Sequence, residues 1–513
     1  MGTTEPGEVE SISSSNEDGK PVRNESSSDP DSHRSEPSSN EKEEEQTQDA
    51  PAVPFSPARE FLFVFTICMA QFLSLAGLAQ SVAPLAIIGQ SFGVTDEGLL
   101  SWYPAAFSLT LGTFVLPAGR LGDMYGHRNL CLMGYAWYAV WSTIAGVSVY
   151  SGDILFSFSR GMQGIGPAIV VPNALALVGM AYGASPRKNM IFALFGASAP
   201  VGWVAGAVFS SILAQLAWWP WAYYALAFAC IGMIGFNLIA VPAGHRERAA
   251  RLSDFDALGC ATGVSGLVLF NFAWNQAAVV GWQEPYTYAL LIVGILLLGA
   301  FAYVELNIAA HPLVPLRKMK AEAALALAVV ACGWASFGVW VFYLWRLIES
   351  LRGYSALAAC AQNAPVAISG LVAALGTGFM LSHVKVPYVL LLSTLFFLAG
   401  QILLATVPVD QTYWAQTFVS IILMPWGLDM SFPSSTILLS NSTPPEDQGV
   451  ASSLVNTTVN YSISLGLGIA GTILRQVNSS GTDVLAGYRG AWYFGIGLDG
   501  LAAVIALYFV WKY

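Results

Sequence analysis

Stretches of 20 residues or more with at most one charged side chain recur along this chain, and a soluble fold cannot accommodate them. A helix needs roughly 20 apolar residues to cross about 30 Å of hydrocarbon. Such stretches fall near 61–88, 99–118, 129–150, 154–181, 189–213, 219–242, 255–280, 286–306, 322–345, 355–381, 387–407, 412–438, 448–474 and 490–511. In lipid every backbone amide and carbonyl must be paired inside the segment, so runs of this length are read as helices. The expected fold class is therefore an all-α polytopic membrane protein with 14 transmembrane helices. Only 11% of the 513 residues are charged, against about a quarter in a soluble chain.

Residues 1–57 contrast with the rest. They are rich in Ser, Glu and Asp and supply most of the net charge of -10. Too little apolar surface is available there to offset ordering entropy, so a disordered acidic cytoplasmic tail is expected. Its Ser clusters beside acids also suit phosphorylation. No basic, early apolar signal segment opens the chain, and the first apolar run near Phe61 is too long for one. It should act as an uncleaved anchor. Six cysteines lie in apolar runs without metal-type spacing, so free thiols and no metal site are expected.

Loop charge orients the spans. Alternate loops carry Arg120 and Arg128, then Arg187 and Lys188, then Arg246, Arg248 and Arg251, then Arg317, Lys318 and Lys320, then Lys385. Basic residues mark the cytoplasmic side, which puts both termini inside. Arg346 and Arg352 in one outer loop, and Arg475 and Arg489 in another, depart from the pattern. So does the inner loop with Glu446 and Asp447. An even count with both ends inside suggests two six-helix bundles, 58–243 and 322–513, joined by two extra linker helices in 255–306. Pro186 and Pro445 open corresponding helices of the two halves, a faint internal repeat of the kind transporters show.

Two polar islands interrupt the apolar pattern. In Gly119-Arg-Leu-Gly-Asp123-Met-Tyr-Gly126-His-Arg128, glycines permit a reversal, and Asp123 can cap exposed amides or pair with Arg120 or Arg128. This is either a capped turn or a polar clasp between moving parts. In Ser159-Arg160-Gly-Met-Gln163-Gly-Ile-Gly166, an intramembrane arginine must face a cavity or a partner. Gln163 lies one turn on, on the same face. Arg160 is a coupling residue or a hydrogen-bond hub to the first helix.

The first island resembles the signature of the major facilitator superfamily, at Gly119, Asp123, Gly126 and Arg128, with Met124 and Asn129 departing from the usual basic choices. The resemblance implies an inner-gate lock at Asp123 and Arg128. The Arg160 island is similar to the superfamily's fourth-helix motif, which implies proton or substrate coupling. Gly196, Pro200, Gly202 and Gly206 partly resemble its antiporter motif, with Ala199 in place of the usual glycine. Physically this is a proline bend plus a close-packing face. Further stretches resemble fungal transporters of the aminotriazole-resistance type, a fourteen-span drug:proton antiporter group: Ala83-Pro84-Leu, Leu100-Ser-Trp-Tyr103, Gly427-Leu-Asp429-Met-Ser-Phe-Pro433 and Val459-Asn-Tyr-Ser-Ile-Ser464.

Asp429 lies between Pro425 and Pro433 in an apolar run and is the favoured proton-carrying acid over Asp499, which fold analogy places on a peripheral helix. The first helix offers Gln71 and Gln80 but no acid. Trp334, Phe337, Trp340 and Tyr343 form a stripe that is either packed core or an aromatic wall for a flat substrate. Asn456 and Asn460 suit bonds to neighbouring helices. Asn478-Ser-Ser480 is a glycosylation sequon on a loop expected outside.

The expected function is proton-coupled export of toxic small molecules by a monomer in the plasma membrane, with the vacuolar membrane as an alternative. A carrier of a small inorganic solute such as borate or ammonium is the second reading, and a non-transporting nutrient sensor the third. Nothing in the sequence points to an enzyme, a cofactor or a nucleic-acid partner.

Overall fold

The structure is a computed structural model that describes residues 56–182, 186–242, 255–309, 312–441, 448–478 and 481–512. Outside them lie nearly all of the acidic tail, the Arg246–Arg251 loop, Pro445 with Glu446 and Asp447, and Ser479 and Ser480 of the sequon.

All regular structure among the described residues is helical. In chain order the α-helices are α1 Pro57–Val82, α2 Leu85–Ser91, α3 Glu97–Tyr125, α4 His127–Val147, α5 Asp153–Ala181, α6 Pro186–Leu216, α7 Pro220–Ala240 and α8 Ala257–Val280. There follow α9 Pro285–Asn307, α10 Ala321–Arg346, α11 Ala356–Asn363, α12 Pro365–His383, α13 Val386–Ala405, α14 Gln416–Asn441, α15 Gln448–Val477 and α16 Val484–Lys512. Among the described residues, 12 helical segments are long and apolar enough to cross a membrane. Neither α14 nor α15 belongs to those 12, although both are long enough. Both are richer in polar side chains, including Asp429, Asn456 and Asn460.

Local chemistry fixes many boundaries. Ser56, Asp96, Asp256 and Ser355 cap α1, α3, α8 and α11 with side-chain oxygens. The expected first span is split at Pro84, and the span expected over 355–381 is split before Pro365, since proline supplies no helical amide. By contrast, Pro425 and Pro433 do not break α14, and Pro104, Pro117, Pro167, Pro172 and Pro200 lie inside continuous helices. Neighbouring helices support such prolines in membrane folds. The polar island at 119–128 is not an open loop: α3 runs on through Asp123 to Tyr125. Only Gly126, at φ +91°, makes the reversal. After α10 the chain continues in one π-helical turn, Leu347–Leu351.

Packing follows two sets. Among the first seven helices, α1 lies along α6, and α5 along α3 and α4. Later in the chain, α13 packs on α14 and α16, and α10 on α15 and α16. The sets meet where α3 lies along α15 and where α6 meets α11 and α12. The hairpin of α8 and α9 flanks the α3–α15 seam through α8. All six cysteines are free.

Candidate functional site

At the C-terminal end of α3 the signature residues make specific local bonds. Asp123 Oδ1 lies 3.4 Å from His127 Nε2. Arg128 instead donates to the Leu238 carbonyl at 2.9 Å, tying α4 to α7. The expected pairing of Asp123 with Arg120 or Arg128 is thus replaced by one with His127, because the reversal at Gly126 turns Arg128 toward α7. His127 is buried and its Nδ1 donates to Asn173 Oδ1 at 2.7 Å. Asn173 in turn donates to the Ala118 carbonyl at 3.2 Å. Gly122 is required here, since a Cβ would lie 1.7 Å from Asn173 Oδ1. A Cβ on Gly119 would meet Ser453 Oγ of α15 at 3.6 Å, so this face looks across the seam. No sequence signal pointed to Asn173, which sits in an apolar run.

Arg160 is fully enclosed, at 0% exposure. It donates to the Gly77 carbonyl at 2.7 Å, to Ser81 Oγ at 3.0 Å, to the Tyr103 carbonyl at 3.2 Å and to Gln163 Oε1. Gln163 passes the network on to Ser142 Oγ at 2.7 Å. The guanidinium also lies 4.6 Å from the Phe107 ring centre and 5.7 Å from that of Tyr223. Helices α1, α3, α4, α5 and α7 are tied at one charge, with no carboxylate among these partners. The arrangement joins these helices around one enclosed guanidinium. Gln80 is also buried and its amide nitrogen has no partner, whereas Gln71 is half-buried.

Pro200, Gly370 and Asp429 bring α6, α12 and α14 together. A Cβ on Gly370 would lie 2.9 Å from Pro200 Cβ and 3.7 Å from Asp429 Oδ2. Asp429 is half-buried, and no described donor bonds its carboxylate. Pro433 also lacks the amide that would reach back four residues to the Asp429 carbonyl. Gly202 and Gly206 pack on α1, where a Cβ would sit 2.4 Å from the Phe72 carbonyl oxygen and 2.5 Å from Ala76. Gly196 meets nothing within 4 Å.

The competing acid, Asp499, is not at the periphery. It is completely buried, and it accepts a 2.7 Å bond from Ser336 Oγ, which itself accepts from Gln401 Nε2 at 2.8 Å. The last helix turns this face inward onto α10 and α13, where Oδ2 is bonded and Oδ1 is buried without a described partner.

Both indoles of the aromatic stripe are engaged. Trp334 donates to Ser431 at 3.1 Å and Trp340 to Ser420 at 2.8 Å, both on α14. Phe337 lies between them, stacked on Trp340 at 6.1 Å and edge-on to Trp334 at 5.8 Å. Trp334 and Phe337 remain half-buried while Trp340 is sealed in. Asn460 bonds Asn456 at 2.9 Å instead of a neighbouring helix. Asn478 accepts from the Asp483 amide at 2.9 Å.

Sequence reasoning missed a cluster at the opposite end of the seam. Glu97, in the first turn of α3, receives Arg346 of α10 through Nε at 2.8 and 3.0 Å and through Nη2 at 2.6 Å. Tyr488 of α16 adds a 2.9 Å bond. Nearby, Cys360 of α11 meets Ser211 Oγ at 3.1 Å and the Ala207 carbonyl at 3.3 Å, and the Leu357 amide meets Gln215 at 3.0 Å. The available signal was Arg346 itself, a basic residue where the loop pattern lacks them. It belongs to the last turn of α10 and is only 6% exposed.

The Major Facilitator Superfamily model matches residues 61–386. A low affinity ammonium transporter of Saccharomyces cerevisiae is 55% identical, covering 90% of each chain. An efflux pump of Aspergillus terreus is 46% identical over 89% of each. The aminotriazole resistance protein of Saccharomyces cerevisiae is 39% identical over 88% of this chain and 84% of that one. In fold, a crystal structure of a peptide transporter with sulfate superposes with a TM-score of 0.65 at 14% identity, covering 91% of this chain and 97% of the other. With the signature at 119–128 and helices of both halves meeting along one seam, the chain belongs to the major facilitator superfamily and is a multi-pass membrane transporter.

Proposed function

We propose that this protein exports toxic small molecules by proton-coupled alternating access, as a monomer in the plasma membrane. In this reading α14 and α15 also cross the bilayer, giving fourteen spans with both termini cytoplasmic. The N-terminal bundle (58–243) and C-terminal bundle (322–513) rock about a central site, with 255–306 as linker helices. Gly119, Asp123, Gly126 and Arg128 act as the inner clasp.

One observation carries the proposal. Asp429 presents a carboxylate without a described donor where α6 of one half touches α12 of the other. An unpaired acid inside a membrane protein is a functional site by default. The half-buried Trp334 and Phe337 offer an apolar wall on α10, and the efflux pump among the relatives supports export. A second reading is passage of a small solute such as ammonium or borate. It is favoured by the 55% identical ammonium transporter and by the fit of a lone carboxylate to a small cation.

The test is flux in proteoliposomes under an imposed pH gradient, with aminotriazole, boric acid and methylammonium as probes. Asp429→Asn should abolish proton-dependent flux, and Asp499→Asn should retain it while lowering thermal stability. Unchanged proton-dependent flux in Asp429→Asn would overturn the coupling assignment. Gradient-driven movement of methylammonium but not aminotriazole would favour the second reading.

A further inference from the structure

The hairpin α8–α9 lies against both halves of the protein, yet its two contacts differ in kind. Toward α15 it is bonded through four helical turns. Tyr461 OH donates to the Leu267 carbonyl at 2.9 Å, and Ser464 Oγ donates to Asn271 Oδ1 at 2.8 Å. Asn275 Nδ2 donates to the Ser464 carbonyl at 3.2 Å, and Arg475 donates to the Val279 and Val280 carbonyls. Small residues bring the backbones together between these bonds. A Cβ on Gly468 would sit 2.8 Å from the Asn275 amide nitrogen, and one on Gly471 would sit 2.7 Å from Ala278 Cβ. Positions 461, 464, 468, 471 and 475 thus meet 267, 271, 275, 278 and 279 in the same order, a parallel pair held in register. Asn271 and Asn275 are both fully buried; Asn275 also bonds Asn271 within α8, and the two bonds to Ser464 are what tie this amide pair to α15.

Toward the N-terminal half the contact near the hairpin tip is apolar, while at the other end the charge of Arg120 acts on Glu305. Trp102 meets Phe272 with ring centres 5.1 Å apart, and Gly98 lies under the Ala278 carbonyl. Among the described residues no hydrogen bond or ion pair joins 257–307 to 57–242. Sliding one helix past another over such a surface leaves no buried polar group unsatisfied. Sliding α8 past α15 would take the Tyr461 and Ser464 hydroxyls from their acceptors, at about 1–3 kcal/mol for each buried group left unpaired.

We infer that the linker hairpin is a rigid part of the C-terminal bundle and rides with it, while the outer end of α3 slides against α8. The inference rests on the rocking of two bundles proposed above. It makes the inserted helices a cover for the α3–α15 seam that stays with one lip. At the inner end Glu305 accepts the Leu313 and Val314 amides at 3.2 and 3.3 Å. These two side chains pack with Leu116 on one side and Val450 and Leu454 on the other.

Three exposed positions at the same end of the molecule report the motion: Thr95 before α3, Asp410 between α13 and α14, and Gln283 at the hairpin tip. Each pair would carry nitroxides on introduced cysteines in full-length protein whose six native cysteines are replaced by alanine, in nanodiscs, with distances read by pulsed electron spin resonance. Glu97→Gln removes the ion pair across the seam and supplies the perturbation, with Arg346→Gln as a second route should the first fail to fold. The expected result is a second, longer Thr95–Asp410 population, the same for Thr95–Gln283, and a single unchanged Gln283–Asp410 distance. Asn271→Leu combined with Asn275→Leu should then broaden the Gln283–Asp410 distribution. A split Gln283–Asp410 distance with a fixed Thr95–Gln283 distance would assign the hairpin to the other bundle and overturn the inference. An unmoved Thr95–Asp410 distance would refute the rocking itself, and the inference with it.

Discussion

Removing one partner of the Glu97–Arg346 pair should open the seam at that end, and the size of the effect follows from its burial. The side chains are 17% and 8% exposed, so both charges are largely desolvated when the halves are closed. Deleting one partner of a buried ion pair costs about 3–5 kcal/mol, because the other charge is left without compensation. Glu97 keeps some solvent contact and Glu349 also acts on Arg346, which argues for about 3 kcal/mol, near the lower end. Only the closed arrangement bears this cost, since separated halves let water reach the remaining charge. At about 1.4 kcal/mol per tenfold, Glu97→Gln shifts the closed-to-open ratio by about 100-fold. Native Cys360 is a built-in reporter, being 1% exposed and held across the same seam by Ser211 and Ala207. Its alkylation by a membrane-impermeant maleimide, followed by peptide mass spectrometry in intact cells, should accelerate by about that factor. Replacing both partners by neutral side chains, Glu97→Gln with Arg346→Met, should be milder, because no lone charge remains. A double variant as reactive as the single one, or a single variant as protected as the parent, would refute the reasoning. Glu349, one turn beyond Arg346 with both carboxylate oxygens buried and unpartnered, is a substitute counter-ion. Adding Glu349→Gln to Glu97→Gln should therefore raise reactivity further.

Other outcomes follow from the same geometry. Arg160→Ala leaves the buried Gln163 Oε1 without its donor and removes the ties to α1 and α3, so it should lower the melting temperature in detergent, and Arg160→Lys should not restore it, because a point ammonium cannot reproduce the planar fork. Loss of flux at an unchanged melting temperature would instead mark Arg160 as a coupling residue. Gly122→Ala should break the His127–Asn173 bond through the 1.7 Å overlap, costing about 1–3 kcal/mol in unpaired buried groups. Chemical denaturation of the purified protein measures that loss, and a variant as stable as the parent would show that the inner end of α3 yields easily.

Much of the fold was legible because hydrocarbon imposes one rule on every segment. Apolar length alone marks a span, and caps such as Asp96 and Asp256 or breakers such as Gly126 mark its ends. The signature at 119–128 and the close-packing face at Gly202 and Gly206 could be read for the same reason, since glycine spacing along a helix is local information. What surrounds a polar residue is not local. Arg160 and Gln163 share a face at i and i+3, but their carbonyl and hydroxyl partners lie 21 to 83 residues away. The sequence could not separate a hub from a coupling site.

The two buried acids illustrate that limit. Chain position and flanking prolines distinguish Asp429 from Asp499 weakly. Tertiary packing distinguishes them sharply, because one meets a serine hydroxyl and the other has no described donor. The sequence by itself determined that this is a helical membrane protein, where its long apolar segments lie, and where the 119–128 signature falls. Those properties depend on side-chain hydropathy and backbone pairing within single segments. Only the tertiary structure decided that Glu97 closes on Arg346 across 249 residues of chain. It also decided that the inserted hairpin is bonded to α15 and merely rests on α3. Such contacts depend on which helix faces which, and no periodicity within one helix encodes its neighbour.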